Sequence, residues 1–103
     1  MTDSKIYQMI GLAQKARMLV SGEFSCKDAV LKQKAMLVIV ATDASKNTKK
    51  LFLDKTAYRN ISCKEWGTKE GFGRMLGCDE RAVVALTDIN FATKISQMIE
   101  ETV

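Results

Sequence analysis

The chain contains no histidine and no proline. Without histidine there is no imidazole base to activate a serine or cysteine, and no nitrogen ligand to complete a zinc site. Proline is missing together with any Ser/Gly-rich linker or internal repeat, so nothing marks a domain boundary and the elements simply alternate. Cysteines number three, at Cys26, Cys63 and Cys78. An odd, widely spaced set with no CxxC pair excludes a disulfide framework and reads as reduced thiols, with a reactive Cys78 in a loop as the open alternative. The longest apolar run is six residues, Met36–Ala41, far short of the roughly 20 that a membrane span needs. The start Met1-Thr2-Asp3-Ser4-Lys5 leads into no apolar stretch of the kind found in secretory signals. A cytoplasmic protein with no membrane partner, no metal and no cofactor is the expectation.

Catalytic signatures are equally sparse. The carboxylate pairs Asp79-Glu80 and Glu100-Glu101 read as solvated surface. No GxxxxGK[ST] or GxGxxG is present, and Gly71-Phe72-Gly73 carries only part of such spacing. An enzyme is therefore not expected, because a positioned acid, base, nucleophile or metal is missing.

What the chain does have is an ordinary globular balance, 47% apolar and 27% charged over 103 residues, enough for one domain spanning 1–103. Its net charge of +4 is unevenly spread. Residues 27–59 carry eight Lys/Arg against three Asp/Glu, and residues 60–103 carry five against seven. A one-sided basic face fits either a polyanion partner or a solvated lysine surface.

Periodicity predicts five helices. The first is capped by Ser4 and buries Ile6, Met9, Ile10, Ala13 and Ala16. The second spans about 22–33 and buries Cys26, Ala29 and Val30. A third runs from the Ser45 cap to Tyr58 with Thr48, Leu51, Phe52 and Lys55 on one stripe. A fourth is opened by Thr68, buries Phe72, Met75 and Leu76, and is closed by Gly77. The last is capped by Asp88, with Phe91, Ile95, Met98 and Ile99 facing inward. Strands are read at 18–20, 36–41, 61–63 and 82–86, the second and fourth fully apolar as strands covered on both faces are. Alternation with short connections argues an α/β layered sandwich around a small, largely parallel sheet.

Within this frame, Val20-Ser21-Gly22-Glu23 joins a short strand to a helix start. Glycine there lets a partner approach the backbone, and the free N–H groups of the first helical turn suit an anion. If the strands are parallel, the turns at Ser21-Gly22, Thr42-Asp43-Ala44-Ser45 and Gly77-Cys78-Asp79-Glu80-Arg81 should gather at one sheet edge, where ligands of open α/β sheets bind. The third loop precedes its strand, unlike the other two.

The order Gly11-Leu12-Ala13-Gln14-Lys15-Ala16-Arg17, Val20-Ser21-Gly22-Glu23 and Lys34 through Thr48 resembles the ribosomal L7Ae/L30e family, more narrowly its bacterial YlxQ-type branch. Gly67-Thr68-Lys69-Glu70, Leu76-Gly77 and Val83 to Asp88 with Phe91-Ala92 continue the likeness over nearly the whole chain. The resemblance implies a three-layer α/β/α sandwich with a small mixed, largely parallel four-stranded sheet, and binding of structured RNA. The usual target is a kink-turn, a bulged helix with tandem G·A pairs and a sharply bent backbone; ribosomal RNA is one source consistent with the resemblance.

In relatives that bind it, a Gly-x-Asn-Glu-x-x-Lys pattern at the second helix meets the G·A pairs and phosphates. Here Gly22 keeps the glycine and Glu23 takes the variable place. Phe24, Ser25 and Asp28 stand where asparagine, glutamate and lysine would be. The candidate RNA-binding residues are Lys15, Arg17, Ser21, Gly22, Glu23, Phe24, Lys27, Lys46, Lys49, Lys50, Cys78 and Arg81. Backbone N–H groups at Gly22 and Glu23 suit a phosphate, and the lysines supply positive surface. Phe24 is a stacking surface if exposed and a core contact if not. Arg81 suits a base or a phosphate, in the place where the family's loop packs on a flipped-out base. The alternative is a protein-interaction module on the same fold, its RNA site decayed.

Overall fold

Amphipathic segments alternate with apolar runs, and each run is buried as a strand between helices. The computed structural model describes residues 2–102; Met1 and Val103 lie outside them. In order, the elements are α1 (Thr2–Lys15), β1 (Leu19–Ser21), α2 (Glu23–Leu31), β2 (Leu37–Val40), α3 (Lys46–Tyr58), β3 (Ser62–Glu65), α4 (Lys69–Leu76), β4 (Val83–Leu86) and α5 (Ile89–Glu100). No helix among the described residues is long and apolar enough to cross a membrane.

Local chemistry accounts for most boundaries. Ser45, Thr68 and Asp88 each accept the N–H three residues on, at 3.0–3.1 Å, satisfying a donor that the helix leaves open. Gly77 closes α4 in the left-handed conformation, φ 71°. Arg17, Gln33 and Asn60 adopt the same conformation just after α1, α2 and α3 without being glycine. Ser4 is not a cap: α1 already begins at Thr2, because nothing in Thr2-Asp3-Ser4 stops a helix whose Ile6 and Ile10 are buried. Ala16, expected on the buried face, is exposed because α1 ends one residue earlier. Met75 is also more exposed than expected, at 37%; Phe72 and Leu76 supply the buried face of α4.

The sheet order is β1-β4-β2-β3. β2 and β3 are parallel, with Val38 opposite Cys63, whereas β4 is antiparallel to both β1 and β2. Three strands therefore point one way and β4 the other. Two of the three pairings are antiparallel, so the sheet is mixed, as expected, but its pairing is less parallel than the alternation of helices and strands suggests. The cause is the insertion of β4 between β1 and β2, which gives the lone reversed strand two neighbours.

Every residue of β2 and β4 is buried. Helices α2 and α3 pack together over the sheet, and α1, α4 and α5 form the opposite layer. β3 is an edge strand with exposed Ser62 and Glu65, which is why its apolar pattern misleads by a residue or two. Beneath the loops of one edge sits an aromatic group. Tyr7 lies 4.6 Å from Trp66 and 6.0 Å from Phe72, and Trp66 lies 6.2 Å from Phe72, centroid to centroid.

Candidate nucleic-acid interface

The reversal of β4 brings the α4–β4 loop to the edge where β1, β2 and β3 end. Had β4 run parallel, residues 77–82 would lie at the far edge. Backbone bonds document the convergence. Gly22 N–H donates to Val83 O at 2.9 Å and Ala41 N–H to Ala82 O at 2.8 Å. A fourth loop, Trp66-Gly67-Thr68, joins them. Thr42 donates to Gly67 O through both its N–H and its hydroxyl, each at 2.8 Å. Lys69 N–H donates to Asp43 Oδ1 at 2.9 Å, and Arg81 N–H to Lys69 O at 3.2 Å. The sequence reading missed this loop, although its place after a strand parallel to β2 was the available signal.

Gly22 begins α2 at φ 90°, ψ 155°, backbone that is essentially glycine's alone. It contributes no side-chain cap; its own N–H is taken by Val83 O, which removes Gly22 from the expected phosphate donors. The first intrahelical bond is that of Cys26 N–H to Gly22 O at 3.0 Å, leaving the N–H groups of Glu23, Phe24 and Ser25. The N–H groups of the first turn thus face outward with the positive end of the helix dipole. A Cβ at Gly22 would meet Arg81 Cδ at 3.8 Å, an ordinary contact. The cost of Gly22→Ala is therefore torsional, and it is expected to lower unfolding free energy by about 1–3 kcal/mol. Urea titration followed by circular dichroism checks this, and an unchanged midpoint would contradict it.

The thiol of Cys26 anchors the same turn from below, at 3.5 Å from Val20 O and 3.6 Å from Val83 O. Burial pushes it up to about 12, so it is an inert packing group. Cys63 is raised too, mainly by burial, with Glu65 adding and a Thr56 hydrogen bond opposing. All three cysteines are free, and Cys78 is exposed.

Several side chains converge at this edge. Arg81 crosses the β1–α2 turn, its Nε donating to Ser21 Oγ at 3.3 Å and its Nη1 to Glu80 O at 3.4 Å. Glu23 accepts from the Thr48 hydroxyl, which in turn accepts from Ser45 Oγ at 2.9 Å. This chain of bonds ties the start of α2 to the start of α3, and so to Lys46. Phe24 is 86% exposed. It is not core.

The lysines are not equivalent. Lys49 pairs with Glu65 at 3.0 Å and Lys50 with Asp54 at 3.5 Å. Lys46 and Lys27 are exposed and make no ion pair among the described residues. Asp28, in the place of the family's lysine, pairs with Lys32 at 3.3 Å. Cys78 lies in a loop pressed so closely on α4 that a Cβ at Gly73 would sit 2.6 Å from Asp79 O.

Lys15 and Arg17 do not join this group. They precede β1, at the edge where β4 ends, as the bond from Thr87 N–H to Met18 O shows. Ser21, Gly22, Glu23, Phe24, Lys46 and Arg81 are brought together; Lys15 and Arg17 are left at the other end of the sheet. Among the described residues no three Cys, Asp or Glu side chains are gathered to hold a metal ion.

A mixed four-stranded sheet between two helical layers, with helix starts and loops on one edge, has a counterpart among known proteins. The chain belongs to the ribosomal protein L7Ae/L30e/S12e/Gadd45 family, whose profile matches residues 4–96. It is similar to the RNA-binding protein YlxQ of Bacillus subtilis (strain 168), 35% identical over 100 residues, 97% of this chain and 100% of that protein. The RNA-binding protein YlxQ of Enterococcus faecium is 38% identical over 96 residues, 93% of this chain and 92% of its own.

Among solved structures, a Bacillus halodurans protein of unknown function superposes with a TM-score of 0.89 at 36% identity, covering 93% of this chain and 97% of that one. The Giardia lamblia 15.5kD RNA binding protein superposes with a TM-score of 0.81, covering 99% of this chain and 90% of its own. At 18% identity, this likeness concerns the fold.

Proposed function

We propose that this chain is a non-enzymatic, cytoplasmic RNA-binding protein that takes a kink-turn-like RNA on the loop-rich edge of its sheet, as a ribosomal or ribosome-associated protein. The observation that carries the reading is Phe24, 86% exposed on the first turn of α2. A solvated aromatic beside outward-facing N–H groups pairs a stacking surface with a phosphate site. Phe24 replaces hydrogen bonds to base edges by stacking, which tolerates any base. Recognition then rests on the bent shape of the RNA more than on its G·A pairs. Asp28 opposes phosphate less than a lone carboxylate would, because Lys32 offsets its charge.

The test is a titration of a kink-turn RNA against a straight duplex of matched length at two salt concentrations. Preference for the kink at both salts is expected, and equal affinity at both would contradict specific recognition.

Lys46, at the start of α3, has no carboxylate partner among the described residues. Replacing it by glutamine is expected to weaken binding of all RNAs alike and to reduce the salt slope by about 1. The same change at Lys50, already engaged with Asp54, is expected to do less. Fluorescence anisotropy across a salt series checks both.

A further inference from the structure

The layer formed by α1, α4 and α5 carries a second surface that RNA binding at the sheet edge leaves unused. Lys5, Gln8, Leu12 and Lys15 follow one another at spacings of three, four and three along α1, so they form one stripe on its outer side. A groove of about 390 Å³ runs between this stripe and α4, lined by Gly11, Gln14 and Met75. A second groove, about 510 Å³, runs toward α5 and is lined by Met9, Met98, Lys94 and Glu101. Gln8 and Leu12 border both.

Leu12 is 52% exposed and stands as the ridge between the grooves. Gly11 gives Met75 its seat, since a Cβ there would lie 3.0 Å from the methionine sulfur. The floor is thus one leucine and three methionines, unbranched thioethers that adapt to whatever apolar side chains are laid on them.

The charge around that floor is mainly positive. Lys5 and Lys15 mark the two ends of the stripe and Lys94 the α5 side. None pairs with a carboxylate among the described residues, and Glu101 is the single acid lining either groove.

We infer that this face docks an acidic amphipathic helix of a protein partner, seated astride Leu12. The ten steps from Lys5 to Lys15 span about 15 Å, nearly three turns of such a helix. Its apolar stripe fills the two methionine grooves, and its flanking carboxylates meet the lysines. A second copy of this chain fits poorly. A two-fold contact would set Lys5, Lys15 and Lys94 against their own kind with Glu101 as the offset. RNA would satisfy the lysines and leave Leu12 and Met75 uncovered. On this reading Lys15 belongs to the protein groove, which agrees with its distance from Gly22.

The test is an NMR titration of the full chain, methionine methyls labelled, with two synthetic 14-residue helical peptides. Both carry leucine at every third or fourth position; one is flanked by glutamates and the other by lysines. The acidic peptide is expected to shift the Met75 and Met98 methyls. Leu12→Glu, an exposed position, is expected to weaken it at least tenfold, and the lysine peptide to produce no shifts. Saturating kink-turn RNA is expected to change the affinity less than twofold. Silence of both methyls with the acidic peptide would overturn the inference. So would equal binding of the lysine peptide, shifts of these methyls by RNA, or concentration-dependent shifts from self-association.

Discussion

Replacing Phe24 by alanine is expected to weaken binding of a kink-turn RNA by about tenfold to a hundredfold while leaving thermal stability unchanged. Base–aromatic stacking is worth about 1–3 kcal/mol per base by alanine substitution. The ring is 86% exposed, so its removal leaves no cavity and costs the fold almost nothing. Isothermal titration at fixed salt, beside a melting curve, separates the two quantities. Phe24→Tyr, which keeps the aromatic face, is expected to retain most of the affinity. A Phe24→Ala protein that binds as tightly as the parent would show that Phe24 stacks on no base.

Phe72→Ala is expected to do the opposite, with an unfolding free energy lower by about 3–5 kcal/mol. That is a large part of the 5–15 kcal/mol that holds a typical domain together, by order of magnitude. Phe72 is fully buried, with its ring against Tyr7 and Trp66. It also supports the β3–α4 loop, since a Cβ on Gly67 would sit 3.0 Å from the ring. That loop holds Thr42 and Asp43 through Gly67 and Lys69. RNA binding is therefore expected to fall as the mutant approaches its lowered melting temperature. Urea denaturation measures the loss, and a change below about 1 kcal/mol would mean that the site can collapse around the missing ring.

The contrast between these phenylalanines was partly readable in advance. The buried positions of α2 are Cys26, Ala29 and Val30. Phe24 stands two residues, or about 200° of helical turn, from Cys26, so the helix's own periodicity turns it to solvent. A lone phenylalanine read by type alone suggests core. The caps were legible because a Ser, Thr or Asp oxygen before an amphipathic run has one local task.

Strand order was not legible, because Val83-Val84-Ala85-Leu86 is as apolar in one direction as in the other. Its antiparallel insertion is a long-range choice. That choice assembles the site, since it carries Arg81 to Ser21. Lys15 and Arg17 misled for a related reason. They are near Gly22 in sequence, but β1 carries the chain across the sheet between them, at about 3.3 Å per residue.

On the proposed function, RNA meets the edge built by Gly22, Phe24, Lys46 and Arg81. A backbone amide NMR footprint of the full chain with a kink-turn RNA tests it most directly. The largest shifts are expected at Gly22 to Ser25, at Lys46 and at Arg81, with the Leu12 and Lys94 amides unmoved. Shifts concentrated on α1 and α5, with Gly22 to Ser25 silent, would contradict it.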